Sequence, residues 1–291
     1  MDQNNITQTI ISTINTIFET LFSSIDNNLY SVLDEITFIS SNILYDKNFE
    51  NILGTNASNG ILLISNSLLF GFLLYYASKY LLSHITYTPT ENPSSFIFKL
   101  IIFGICMNFS FFIIEFILDL NSNISLAIRN LGKSLFSKNI CFSELILKIN
   151  SNIAIDTNSL NIFSVDGLIK STLSLSLLNL VLSYSFRYVM VKVFILISPF
   201  AFLSLSLKST SWFFKSWFRN LFSLLFIQII VSIILLLLFS LDFSSNNLLS
   251  KFIYVGGMYA LIKANSFVRE FIGGVSTSIS QSVQNFFPIN K

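Results

Sequence analysis

From Leu221 to Leu241 the chain carries no charged side chain, and within Phe226–Phe239 only Gln228 and Ser232 interrupt the apolar run. A helix of that length rises about 30 Å, the thickness of bilayer hydrocarbon. Hydrocarbon offers backbone groups no water to bond, so a lone segment crossing it must be helical. The rest of the sequence repeats the demand. Charged residues make up 11% of the 291 positions against roughly 25% in soluble domains, while 53% are hydrophobic, 32 are Phe and the mean hydropathy is +0.70. Such a surface needs lipid as its solvent, and the expected fold class is an all-α polytopic transmembrane helical bundle.

The residues fit either five spans or six. Residues 1–60 form an N-terminal amphipathic region in which Ile10, Ile14, Ile17, Leu21, Ile25, Leu29, Val32 and Ile36 recur in steps of three and four. That stripe suits either a helix lying in the membrane interface or one packed on the bundle. Residues 61–120 hold two spans, Ile61–Leu82 and about Phe96–Leu120, joined by a turn in which Pro89 and Pro93 forbid a continuous helix. Residues 121–166 are Asn- and Ser-rich and charged, and are expected to be an extramembrane loop with short helices. Residues 167–272 carry the remaining spans, and residues 273–291 a short tail. Gly167–Leu207 is largely apolar but interrupted by Lys170, Arg187, Lys192 and Pro199, which suits one long bent helix or a tight hairpin.

The turn from Lys208 to Arg219 sets an orientation, because Lys208, Lys215 and Arg219 are accompanied by no acidic residue and by Trp212 and Trp217. Basic residues at span ends favour the cytoplasm and tryptophan the interface, so this turn is expected to face the cytoplasm. Five spans then put the N-terminus outside and the C-terminus inside. Six spans would put the N-terminus inside and move Arg129, Lys133, Lys138 and Lys148 to the cytoplasmic side. The opening residues lack the positive start of a cleavable signal, so insertion through the internal spans is expected.

An ionised side chain at the centre of a span costs about 2.5–3.5 kcal/mol on insertion scales, so such residues need partners or water. Glu115, Asp119, Arg187 and Lys192 are the candidates. Glu115 and Asp119 share a helix face and would line a polar passage or pair with Arg187 or Lys192; the plainer reading is snorkelling toward the interface. Pro199 is a candidate kink, and Gly256 with Gly257 a candidate hinge or close-packing point.

Enzyme chemistry finds no foothold. With one histidine, His84, and two distant cysteines, Cys106 and Cys141, no zinc or haem site assembles, so neither metal nor cofactor is expected. No phosphate-cradling GxxxxGK[ST] run occurs, and no Asp pair or Ser/His set suits intramembrane proteolysis. A net charge of +2 without any basic cluster argues against a nucleic-acid-binding patch.

The stretch RYVMVKVFILISPFAFLSLSLKSTSWFFKSWFRNLFSLLFIQIIVSII, Arg187 to Ile234, places a basic residue before an apolar span that ends at Ser198-Pro199-Phe200. A small basic turn with Thr210 follows, then Trp212 and Trp217 open the next span. This pattern resembles the TrbL and VirB-type polytopic inner-membrane subunit of bacterial type IV secretion and conjugation machines. The resemblance implies five spans and no catalytic activity. It also implies a homo-oligomeric ring in the bacterial inner membrane that contacts translocated DNA or protein, cytoplasmic ATPases and extracytoplasmic components. The short tail departs from relatives with long C-terminal extensions. The alternative is a permease subunit of a small-solute transporter, which would show an internal repeat; none is visible between Ile61–Leu120 and Leu221–Phe271.

Overall fold

The computed structural model describes residues 9–10, 12–13, 16–17, 32–54, 60–89, 91–152, 165–241 and 248–273. Most of the amphipathic stripe before Val32, residues 153–164 near the end of the 121–166 segment, the turn at 242–247 and the tail from 274 lie outside the described residues. No strand occurs among the described residues, and the protein is an all-α polytopic helical bundle.

Among the described residues, eight α-helices follow helical residues 32–37 and a 3-10 turn at Ser41–Leu44. They are α1 Lys47–Leu53, α2 Ile61–Thr86, α3 Pro93–Asn108, α4 Ser110–Phe136, α5 Phe142–Asn152, α6 Val165–Ser204, α7 Ser211–Ser240 and α8 Leu248–Ile272. Four are long and apolar enough to cross a membrane: α2, α4, Ser171–Ser204 within α6, and α7. The last expected span forms α8, with 25 residues, but Lys263, Asn265, Arg269 and Glu270 make its C-terminal half more polar.

Two expectations change. The span expected over Phe96–Leu120 is divided at Phe109 into α3, only 16 residues long, and α4, which continues to Phe136. The first part of the expected 121–166 loop is therefore helix. Two of its polar residues are not there for solvent: Asn121 and Ser125 are buried and face α7. Charge frequency suggested a loop, but Lys133 is exposed near the helix end, where a long basic side chain reaches polar surroundings, and the Arg129 guanidinium lies over the Phe38 ring at 4.0 Å.

Gly167–Leu207 resolves as one helix, with no hairpin. The 40-residue α6 passes through Pro199 without ending, losing only the N–H that would bond the carbonyl four residues earlier. At about 60 Å it exceeds one bilayer thickness. Helix α7 returns beside it in the opposite direction, since Arg187 meets Leu224 and Trp217 meets Phe194. Helices α4 and α7 run parallel, with the same 107-residue offset in both Asn121–Gln228 and Ser125–Ser232.

Burial grades sharply across the bundle. In the most apolar window of α7, 56% of residues are buried, against 6% in α2, so α7 is the central helix and α2 the peripheral one. Helix α8 reaches α7 closely at Gly257, where an added Cβ would stand 2.4 Å from Leu238 Cδ2, whereas Gly256 faces open space. Leu238 is itself buried and cannot swing aside freely. Gly257→Ala should lower the melting temperature of the detergent-solubilised protein, by an overpacking cost of about 1–3 kcal/mol. Gly256→Ala should leave it unchanged or raise it, through a stabilisation of up to about 1 kcal/mol.

Candidate functional site

The polar side chains inside this apolar bundle converge on α6 and α7. Arg187, on α6, is completely buried, and no carboxylate lies within ion-pair distance of it among the described residues. Its Nε donates to the Leu224 carbonyl of α7 at 2.7 Å and its Nη1 to the Thr37 carbonyl at 2.9 Å; its Nη2 has no partner among the described residues. Three elements thus meet on one guanidinium, whose rigid fork of five donors suits several acceptors at once.

One turn earlier on α6, the Tyr184 hydroxyl donates to the Leu261 carbonyl of α8 at 3.0 Å, and Ser183 accepts from Asn265 Nδ2 at 2.7 Å. Along α7, Gln228 accepts from Asn121 Nδ2 at 3.3 Å, and Ser232 shares a 2.7 Å hydrogen bond with Ser125. Leu224, Gln228 and Ser232 are successive steps of four and lie on one face. The result is a polar seam through the bundle centre. It clamps helices together.

The expected pairing of Glu115 with Arg187 or Lys192 does not form. Glu115 accepts the hydroxyl hydrogen of Tyr45, and that contact pushes the tyrosine above its ordinary range. Lys192 meets Asp46 at 3.3 Å and lies over the rings of Phe49 and Tyr188. Asp119 stays half-buried beside Glu115. The partners of these span residues come from residues 32–54, which fold against α4 and α6 with Leu33, Thr37, Ile39 and Leu44 buried. A pocket of about 320 Å³ lies between this segment and α6, lined by Glu35, Asn42, Asp46, Tyr188 and Lys192.

The turn at 208–219 divides in two. Trp212 is 66% exposed, as an interfacial anchor should be, and Lys215 and Arg219 are exposed too. Trp217, expected at the interface, is only 2% exposed: its indole N–H donates to the Phe194 carbonyl at 2.8 Å, and its ring packs on Phe202 and Phe214. Lys208 reaches Glu91 at 3.1 Å, and Lys99 reaches the same oxygen at 2.9 Å. The proline-bearing turn between α2 and α3 therefore shares an end of the bundle with the Lys208 turn.

Thr37, Asn121, Ser125, Ser183, Tyr184 and Asn265 were not singled out by sequence. A signal existed in the equal four-residue spacing of Asn121 with Ser125 and Gln228 with Ser232, which marks facing polar stripes once the helices are known to adjoin. Among the described residues no group of three or more His, Cys, Asp or Glu side chains could hold a metal ion. No protein-family model, curated protein or solved structure matches the chain.

Two outcomes are expected. Gln228→Leu should destabilise the protein by about 1–3 kcal/mol by stranding Asn121, while Asn121→Leu with Gln228→Leu should cost less than the two single changes summed, as denaturation of each variant in detergent will measure. The hydrogen bond from Lys99 and then that from Lys208 hold the Glu91 carboxyl below its usual range. A depressed carboxylate contributes stability above its unfolded pKa of about 4.3 and loses it as pH falls through the folded value. The melting-temperature gap between native protein and Glu91→Gln should thus be open at pH 6–8 and close in acid.

Proposed function

We propose that this chain is a channel or scaffold subunit of a type IV secretion or conjugation apparatus, working as a homo-oligomer in the bacterial inner membrane beside a translocation path. The observation that carries the reading is the segment from Arg187 to Ile234, with its Ser-Pro-Phe span end, basic turn and tryptophan-led next span. Its folded form supports the reading. The segment makes a rigid antiparallel α6–α7 pair, bracketed by Arg187 at one level and Trp217 at another.

Topology supports it as well. One unbroken α6, with the Glu91 and Lys208 turns at a common end, agrees with five crossings. In that layout the basic turn faces the cytoplasm and its ATPases, the N-terminus lies outside, and the C-terminus lies inside. Helix α2 leaves Leu63, Ile64, Phe70, Leu74, Leu81 and Leu82 exposed, an apolar surface open to lipid or to a neighbouring copy. The polar seam is taken up by helix–helix hydrogen bonds, and substrate would pass between subunits.

Photo-crosslinkers placed at Trp212 and Lys215 in transferring cells are expected to capture cytoplasmic ATPase subunits, and crosslinkers on α2 neighbouring copies or translocated DNA or protein. Normal transfer by a strain lacking the gene, together with no such crosslinks, would overturn the proposal.

A further inference from the structure

Three buried side chains around one guanidinium each keep a polar atom without a bond. Arg187, Thr37 and Gln228 are all 0% exposed, and among the described residues Arg187 Nη2, Thr37 Oγ1 and Gln228 Nε2 have no hydrogen-bond partner. Buried polar groups are bonded in the great majority of cases, so orphans on neighbouring residues call for an explanation.

Their closeness follows from the contacts that hold the guanidinium. Arg187 Nη1 donates to the Thr37 carbonyl, so the Thr37 hydroxyl belongs to a residue that Arg187 touches. Arg187 Nε donates to the Leu224 carbonyl, which in a regular helix also accepts the backbone N–H of Gln228. The Gln228 side chain leans back over that same turn, as helical side chains do. Its Oε1 accepts from Asn121, so the part of the amide left over is the donor.

The chemistry of the three atoms is one-sided. Arg187 Nη2 and Gln228 Nε2 carry only N–H donors and cannot satisfy one another, while the Thr37 hydroxyl is able to donate as well. No carboxylate lies within ion-pair distance of Arg187 among the described residues. A buried cation ringed by spare donors is matched by an acceptor that carries negative charge. A water molecule would accept some of these bonds and leave the charge uncompensated. Complete burial of all three residues favours a monatomic anion over a polyatomic one.

We infer that Arg187, Thr37 and Gln228 bind a small monovalent anion of chloride size where α6, α7 and residues 32–54 meet. Arg187 supplies the charge and Nη2, and Thr37 Oγ1 and Gln228 Nε2 complete the donor set. The anion is a structural counter-ion that joins the three elements. The site stands independently of any secretion role.

The test uses the full-length protein in detergent, freed of halide, with sodium gluconate exchanged for sodium chloride at constant ionic strength. Gluconate is too large for so enclosed a site. Chloride should raise the melting temperature of the native protein along a saturating curve. Thr37→Val removes the hydroxyl but keeps the main-chain carbonyl that Arg187 bonds, so the half-saturating chloride concentration should rise about tenfold or more. Gln228→Glu brings a carboxylate to the guanidinium, keeps an oxygen for Asn121, and should abolish the chloride dependence. A native melting temperature indifferent to chloride, the result that a bound water predicts, would overturn the site. A chloride response unchanged in either variant would overturn it too, as a salt effect on the whole surface. Should one variant fail to fold, the other decides by the same comparison.

Discussion

A guanidinium sealed inside an apolar bundle, with no carboxylate beside it among the described residues, is the constraint around which the rest of this structure is arranged. An isolated buried charge is expensive, so the surroundings must supply oriented dipoles. Arg187 obtains them from main-chain carbonyls of two other elements, Leu224 on α7 and Thr37 in the N-terminal segment. A side-chain partner would have tied Arg187 to one element; two carbonyls tie together three. The position of α7 against α6 and the burial of residues 32–54 both follow from meeting that demand.

The uncharged seam works by the same rule at lower stakes. Amides and hydroxyls in a greasy interior need partners, and each pair formed across a helix interface fixes the register of that interface. Asn121–Gln228 and Ser125–Ser232 do this for α4 and α7, and Ser183–Asn265 does it for α6 and α8. Helix α2 is the peripheral helix. Its Asn66 pairs with Asn108 of neighbouring α3, and most of its surface stays outward. The bundle is thus a rigid centre with a loosely joined margin, and the margin is where contacts with lipid or other subunits can form.

Charges at the periphery behave differently. Glu91 accepts from Lys99 and Lys208 near the membrane edge, where water screens each pair and each contributes less than about 1 kcal/mol. Their value is geometric, since they hold two connecting turns at one end of the molecule. That shared end, together with the continuous α6, makes the layout with five crossings compatible with the chain's own contacts.

Local chemistry written in the amino-acid order determined the helical class, the position of α2 and α7, and the proline turn before α3, because each depends on apolar run length or on a missing N–H. Composition likewise marked Arg187, Lys192 and Glu115 as residues in need of company. It did not say which company. Asp46, Tyr45 and Thr37 lie 70 or more positions away from the groups they meet, and Trp217 looked interfacial until Phe194, Phe202 and Phe214 enclosed it. Whether residues after Asn121 are loop or helix depended equally on a neighbour, for only Gln228 and Ser232 give Asn121 and Ser125 a reason to be inside. Such pairings are properties of packing, and tertiary structure alone decides them because a buried polar group is satisfied by whatever the fold brings within about 3 Å, at any separation along the chain.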